Sequence, residues 1–338
     1  MRAKTTPRAA TMLTLLILLL LPVASGIGLF VPGFYRDTAW SVPQARGQDL
    51  VTLFVAEPLL IAALVWARRG GARAQALWAG TLGYVLYTYA LFSYTAYFNA
   101  LFLAYVALFS AALFALLALA AWLDPVPFTS AASAERKMPV RAVAIFLAAV
   151  GLLFALAWLG QIVPALLRGR VPESVALAQT PTNGVYVQDL AVLIPLLLLA
   201  GHGLWRRRLW GMVLGAALLV TMDVLGAAIV AMAFFMDGAG IAGSLATAGM
   251  FAVVTAASLG CTAVVFVRLP GRMAWALSAT GCPLADAAGE AGRAPTATGM
   301  SAMPGEPRGM DGDAAGVRAP GGAGLAPTRG RVAGYPAS

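Results

Sequence analysis

The chain is poor in the residues that most soluble chemistry uses. Of its 338 residues, one is histidine, two are cysteine, and only 11% carry a charge. A haem held by two axial histidines and a metal site of several His or Cys ligands are therefore excluded. Cys261 lies in an apolar run and Cys282 beyond it, with no C-x-x-C spacing, which argues against a disulfide framework or a thiol redox centre. A soluble domain carries about 25% charged residues. With 60% hydrophobic residues and a mean hydropathy of +0.82, this chain has more apolar surface than a water-soluble globule can hide. No Walker motif, nucleophile elbow or H-E-x-x-H is present, so no catalytic set, cofactor or metal is read from it, and the reading leans away from an enzyme without deciding the point.

What the chain has is long apolar runs: 12–31, 49–67, 75–94, 98–122, 141–163, 188–205, 210–235 and 246–268. Each suits a bilayer core of about 30 Å, which takes roughly 20 helical residues. Strand alternation is absent. The expected fold is all-α: a polytopic membrane protein of eight transmembrane helices.

The net charge of +9 comes from short basic clusters between the runs, not from one basic face, so nucleic acid is not a partner. Arg2, Lys4, Arg8, Arg68, Arg69, Arg73, Arg136, Lys137, Arg141, Arg206, Arg207, Arg208, Arg268 and Arg272 fall on one side, and Arg36, Arg46, Arg168 and Arg170 on the other. That split of fourteen to four places both termini in the cytoplasm. An abundance of Arg, Ala, Gly and Pro suits a GC-rich bacterial genome, hence a bacterial inner membrane. The first run also has the basic start and leucine core of a signal peptide. Against that stands its internal counterpart at 141–163.

That counterpart belongs to a repeat. Gly28-Leu29-Phe30-Val31-Pro32-Gly33-Phe34-Tyr35-Arg36 returns as Gly160-Gln161-Ile162-Val163-Pro164-Ala165-Leu166-Leu167-Arg168. After a polar loop each copy resumes with Gln-Asp-Leu, at Gln48-Asp49-Leu50 and Gln188-Asp189-Leu190. Trp78-x3-Leu82-Gly83 is echoed by Trp210-x3-Leu214-Gly215. Four helices per copy is an even number, so the expected arrangement is a parallel 4+4 internal repeat. The domains read as a cytoplasmic N-terminus (1–11), a first four-helix repeat (12–122), a cytoplasmic linker (123–140), a second repeat (141–268) and a disordered cytoplasmic tail (269–338). The tail reading rests on its Gly, Ala, Pro, Thr and Arg content with few aromatics.

The polar residues within the runs supply the site candidates. The proline of each copy is expected to end the outward helix, and Asp49 and Asp189 to cap the next one. A sharper reading pairs Arg36 with Asp49 and Arg168 with Asp189 at the outer mouth. Glu57 and Asp223 are intramembrane carboxyls, costly at depth and often functional. Tyr84 and Tyr87 share a helix face and can donate to a buried carboxylate or ligand. These four are expected to define a site for a ligand or proton in the outer half, bounded by the second, third and seventh runs. His202, at a helix end, reads as a partly solvated polar residue, and Gly211-x3-Gly215 as a packing stripe.

At Arg36-Asp37-Thr38, Gly47-Gln48-Asp49-Leu50, Leu82-Gly83-Tyr84 and Phe98-Asn99-Ala100-Leu101-Phe102 the chain resembles a family of bacterial multi-span membrane proteins. The resemblance covers about residues 10–270 and implies a multi-span membrane fold, with no activity to carry over. The functional expectation is a transporter-like, small-molecule- or lipid-binding protein whose partners are the bilayer and such a molecule. The alternatives are a non-catalytic scaffold and, more remotely, an enzyme acting on a lipid or quinone.

Reporter fusions at 68–74 and 206–208 are expected to report cytoplasm, and fusions near 40 and 175 the exterior. An external signal at 206–208 contradicts the topology.

Overall fold

The computed structural model describes residues 7–68, 71–122 and 139–269. The expected tail beyond 269, most of the linker and the first six residues lie outside them. The described residues are helical throughout, with no strand among them. The elements are α1 (Arg8–Phe30), α2 (Ser41–Ala67), α3 (Ala72–Thr95), α4 (Phe102–Trp122), α5 (Val140–Leu167), the short α6 (Glu173–Ala178), α7 (Gly184–Trp205), α8 (Leu209–Gly238) and α9 (Ser244–Arg268).

Seven of these helices, all but α3 and α6, are long and apolar enough to cross a membrane. Helix α3 has 24 residues, about 36 Å at 1.5 Å per residue, so its length suffices. Its polar content sets it apart: Gln75, Thr81 and Thr88 are buried, and Tyr84 and Tyr89 are fully enclosed. It lies inside the bundle, where polar side chains meet protein rather than lipid.

Two helices start earlier than their apolar runs. Helix α2 begins at Ser41, eight residues before Asp49, and α7 begins at Gly184, with Asn183 as its cap (Val185 N–H to Asn183 Oδ1, 2.9 Å). Asp49 and Asp189 are thus mid-helix residues, and the capping expectation is corrected. Polar stretches that the runs exclude extend each helix outward, because their side chains find partners on neighbouring helices. The proline rule holds for one copy only. Helix α1 stops before Pro32, but α5 continues through Pro164 to Leu167.

A π-turn accompanies each Gln-Asp pair, at Thr52–Ala56, three residues beyond Asp49, and at Asp189–Leu193, starting on Asp189 itself. Glu57 N–H reaches Thr52 O and Ile194 N–H reaches Asp189 O, each five residues back. A proline follows two residues after each turn, Pro58 and Pro195. Proline has no N–H and its ring crowds the carbonyl four residues before it. Widening the preceding turn relieves that crowding, and such turns recur at functional sites.

Helix α1 packs on α2 and α4, α2 on α3, and α3 on α4. In the second copy α5 packs on α7, α7 on α8, and α8 on α9, while α5 meets α9 only sparsely. The copies join through α8, which also packs along α2 and α3. Glycines permit that approach: a β-carbon on Gly47 would stand 2.5 Å from Met232 Cα, and one on Gly80 2.5 Å from Ala217 O.

Gly47→Leu is therefore expected to destabilise the bundle by about 1–3 kcal/mol through overpacking against backbone. Gly160→Leu is the control, since nothing lies within 4 Å of its β-carbon position. Thermal unfolding in detergent should show a drop for the first and none for the second. Equal behaviour contradicts the packing.

Candidate functional site

The two Gln-Asp pairs are buried, with Asp49 2% and Asp189 3% exposed. Each is satisfied by aromatic and hydroxyl partners, as a group shut away from water must be. In the first copy Tyr35 donates to Asp49 Oδ2 at 2.5 Å. Burial, and then the Asp49 charge, push the Tyr35 hydroxyl well up, so it stays protonated and remains a donor. Gln48 donates to Thr88 Oγ1 at 2.6 Å and to Tyr84 at 3.3 Å, and Thr52 joins Tyr84 at 2.7 Å.

In the second copy Asp189 accepts from Tyr87 (2.8 Å) and from the Trp158 indole (2.8 Å). Gln188 Nε2 donates to the Tyr87 carbonyl at 2.9 Å, and Tyr94 donates to Gln188 Oε1. Tyr186 donates to Gln161 at 2.8 Å and lies 5.2 Å from the Trp158 ring centre. Helix α3 thus serves both copies. Tyr84 and Thr88, four apart, meet the first pair, and Tyr87 and Tyr94, seven apart, meet the second.

What encloses the two carboxyls differs. Beside Asp49, Gly28 lets α1 come close: a β-carbon there would overlap Asp49 and Tyr35. Tyr35, Phe92, Tyr105 and Tyr89 fill the space beyond, with ring centres 5.2–6.2 Å apart. The matched Gly160 touches nothing, and α5 turns Trp158 to Asp189 instead. There a cavity of about 610 Å³ opens between α5, α7, α8 and α9, with part of its wall from α2 and α3. That size is in the range of small-molecule sites. Met222, Leu225, Met232 and Met236 of α8 and Phe251 and Val254 of α9 give it an apolar body. Asp189, Gln161 and Tyr186 put a carboxyl and its polar neighbours at the α5–α7 side, while Gln44 and Gln48 of α2 and Ser244, Thr247, Thr255 and Ser258 of α9 add neutral polar groups on the other walls. Among the described residues, no Lys, Arg or His lines it, and Asp189 is its one acidic residue.

The expected outer-mouth pairs do not form. Arg36 and Arg168 are exposed, while the buried Asp49 and Asp189 take neutral donors. Desolvating a guanidinium beside them costs more than a hydroxyl or indole does. Nor do the four intramembrane candidates converge. Tyr84 belongs to the Gln48 network and Tyr87 to Asp189. Asp223 turns to α9, where Thr262 donates to its Oδ2 at 2.6 Å. Glu57 is half-buried and makes no hydrogen bond or ion pair among the described residues. His202 is exposed, and the described residues hold no His, Cys, Asp and Glu cluster able to hold a metal. Outside the helices, Asp37 ties the first loop to the third, accepting from Tyr97 N–H at 2.9 Å, and burial pushes its carboxyl up. Trp158, Gln161, Tyr186 and Gln188 were not among the expected site residues. Their signal was local: Gln161 lies inside the repeated string with Trp158 three residues before it, and Tyr186 stands two before Gln188.

No protein-family model, curated protein or solved structure matches the chain. The resemblance noted above therefore rests on its four strings.

Trp158→Phe leaves an Asp189 oxygen without its donor, and a loss of about 1–3 kcal/mol is expected, as for Tyr87→Phe. Because both act on one carboxylate, the double variant should depart from additivity by at least about 0.5 kcal/mol. Strict additivity in thermal unfolding contradicts the shared network.

Proposed function

We propose that the protein is an integral membrane protein that binds a small, lipid-like molecule in the cavity beside Asp189, in the outer half of the bilayer. One observation carries this. Of two matched carboxyls, one is sealed by aromatic rings and the other borders an apolar cavity of about 610 Å³. A chain selected only for packing has no reason to hold such a volume open, since interiors fill voids. A single carboxyl at one side of a methionine-rich body suits an amphiphile, and methionine adapts to ligands of varied shape.

In this reading α3 is the eighth span, and α1–α4 and α5–α9 (without α6) are parallel copies. The similar packing order within each copy and the matched π-turns support it. Arginine placement puts the loop after α1 outside and both termini in the cytoplasm of a bacterial inner membrane. A transporter-like role is the extension of this binding, since repeats with polar groups inside the bilayer are what such proteins use. The second reading, a non-catalytic scaffold, draws on the Asp223–Thr262 tie, which secures α8 to α9 without lining the cavity.

Filling the cavity tests the choice. Leu225→Trp and Met232→Trp are expected to abolish co-purification of a bound small molecule in native mass spectrometry while the protein stays folded. Unchanged adducts in both variants favour the scaffold.

A further inference from the structure

The cavity wall restricts the ligand's head. Among the described residues its one charged side chain is Asp189, and no basic residue lines it. Asp189 is held by two neutral donors, so its charge has no counter-ion among the described residues. A buried charge is costly unless paired. An anionic head would add repulsion. An ammonium would supply the missing charge, and the faces of Trp158 and Tyr186, whose rings stand 5.2 Å apart, add attraction for a cation.

The wall also shows a way in. Helices α5 and α9 meet through Phe154 and Phe251, whose ring centres are 5.9 Å apart. Above that contact, toward the loop after α1, Gln161 of α5 and Thr247 of α9 both line the cavity and are both exposed. The cavity therefore opens near the outer ends of these helices, where Ala242 and Gly243 of the loop before α9 also line it and are exposed. In the first copy α1 and α4 pack together, and Ser25 of α1 joins the buried Tyr89 of α3 at 3.0 Å.

Resting on the binding role proposed above, we propose that the ligand is a long-chain ammonium amphiphile that enters from the outer leaflet between α5 and α9. Its head sits against Asp189 and its chain along the α8 methionines.

The test uses the full chain in phosphatidylcholine nanodiscs with radiolabelled hexadecyltrimethylammonium, competed by hexadecanol and by hexadecanoate. The expected result is at least about tenfold preference for the cation over the anion. Asp189→Asn should erase that preference, and Thr247→Trp should slow uptake without changing the preference at equilibrium. Equal competition by all three heads overturns the ammonium assignment and leaves a binding cavity. No retention above empty nanodiscs overturns the cavity reading itself. Uptake unchanged in Thr247→Trp overturns the lateral route. The wild-type preference decides the head group even if a variant folds poorly.

Discussion

The architecture depends on one constraint: a polar group in hydrocarbon has only protein to bond with. Gln48, Asp49, Gln188 and Asp189 lie inside long helices and are all buried. Their partners fix the neighbours. Helix α3 must present Tyr84 and Thr88 to one copy and Tyr87 and Tyr94 to the other, so it stands between them. That role explains why α3 is the least apolar of the long helices, and why α8 packs so tightly beside it through Thr221, which donates to the Gly80 carbonyl at 2.9 Å.

The two Gln-Asp pairs present the same difficulty, and the helices around them meet it differently. The first copy uses Gly28 and a stack of aromatic rings, ending in a sealed carboxyl. The second lost the close approach at Gly160 and reached Asp189 with an indole from one turn of α5, which left room behind it. A void in a bundle sacrifices dispersion contacts along its lining. Holding it open around a buried carboxylate is what a binding site requires, and the sealed copy shows that the same fold can do otherwise.

Much of this was legible in the sequence, and the failures share a cause. Helix positions came directly from the apolar runs, and the Gln-Asp repeat marked the two places where polar groups enter the bundle. The capping expectation fails because Ser41–Gln48 and Gly184–Val187 lie outside the apolar runs, although Gln48 and Tyr186 there find partners on other helices. Tyr87 donates to Asp189 and not to Glu57 or Asp223, a pairing that the spacing along one helix does not specify. Trp158 and Tyr186 carry no signal of their partners, because an aromatic residue in an apolar helix looks the same whether it faces lipid or a polar partner on another helix. Sequence spacing fixes which residues share a face of one helix, and it is silent on which helix that face meets.

The central claim is that the second copy is open where the first is closed. A high-resolution density map of the full chain in lipid nanodiscs tests it most directly. The account predicts an elongated non-protein density running from Asp189 along Met232 and Met236, and none between α1 and α4. A map in which Phe154, Phe251 and the α8 methionines close on one another, leaving the second copy as tightly filled as the first, would contradict it.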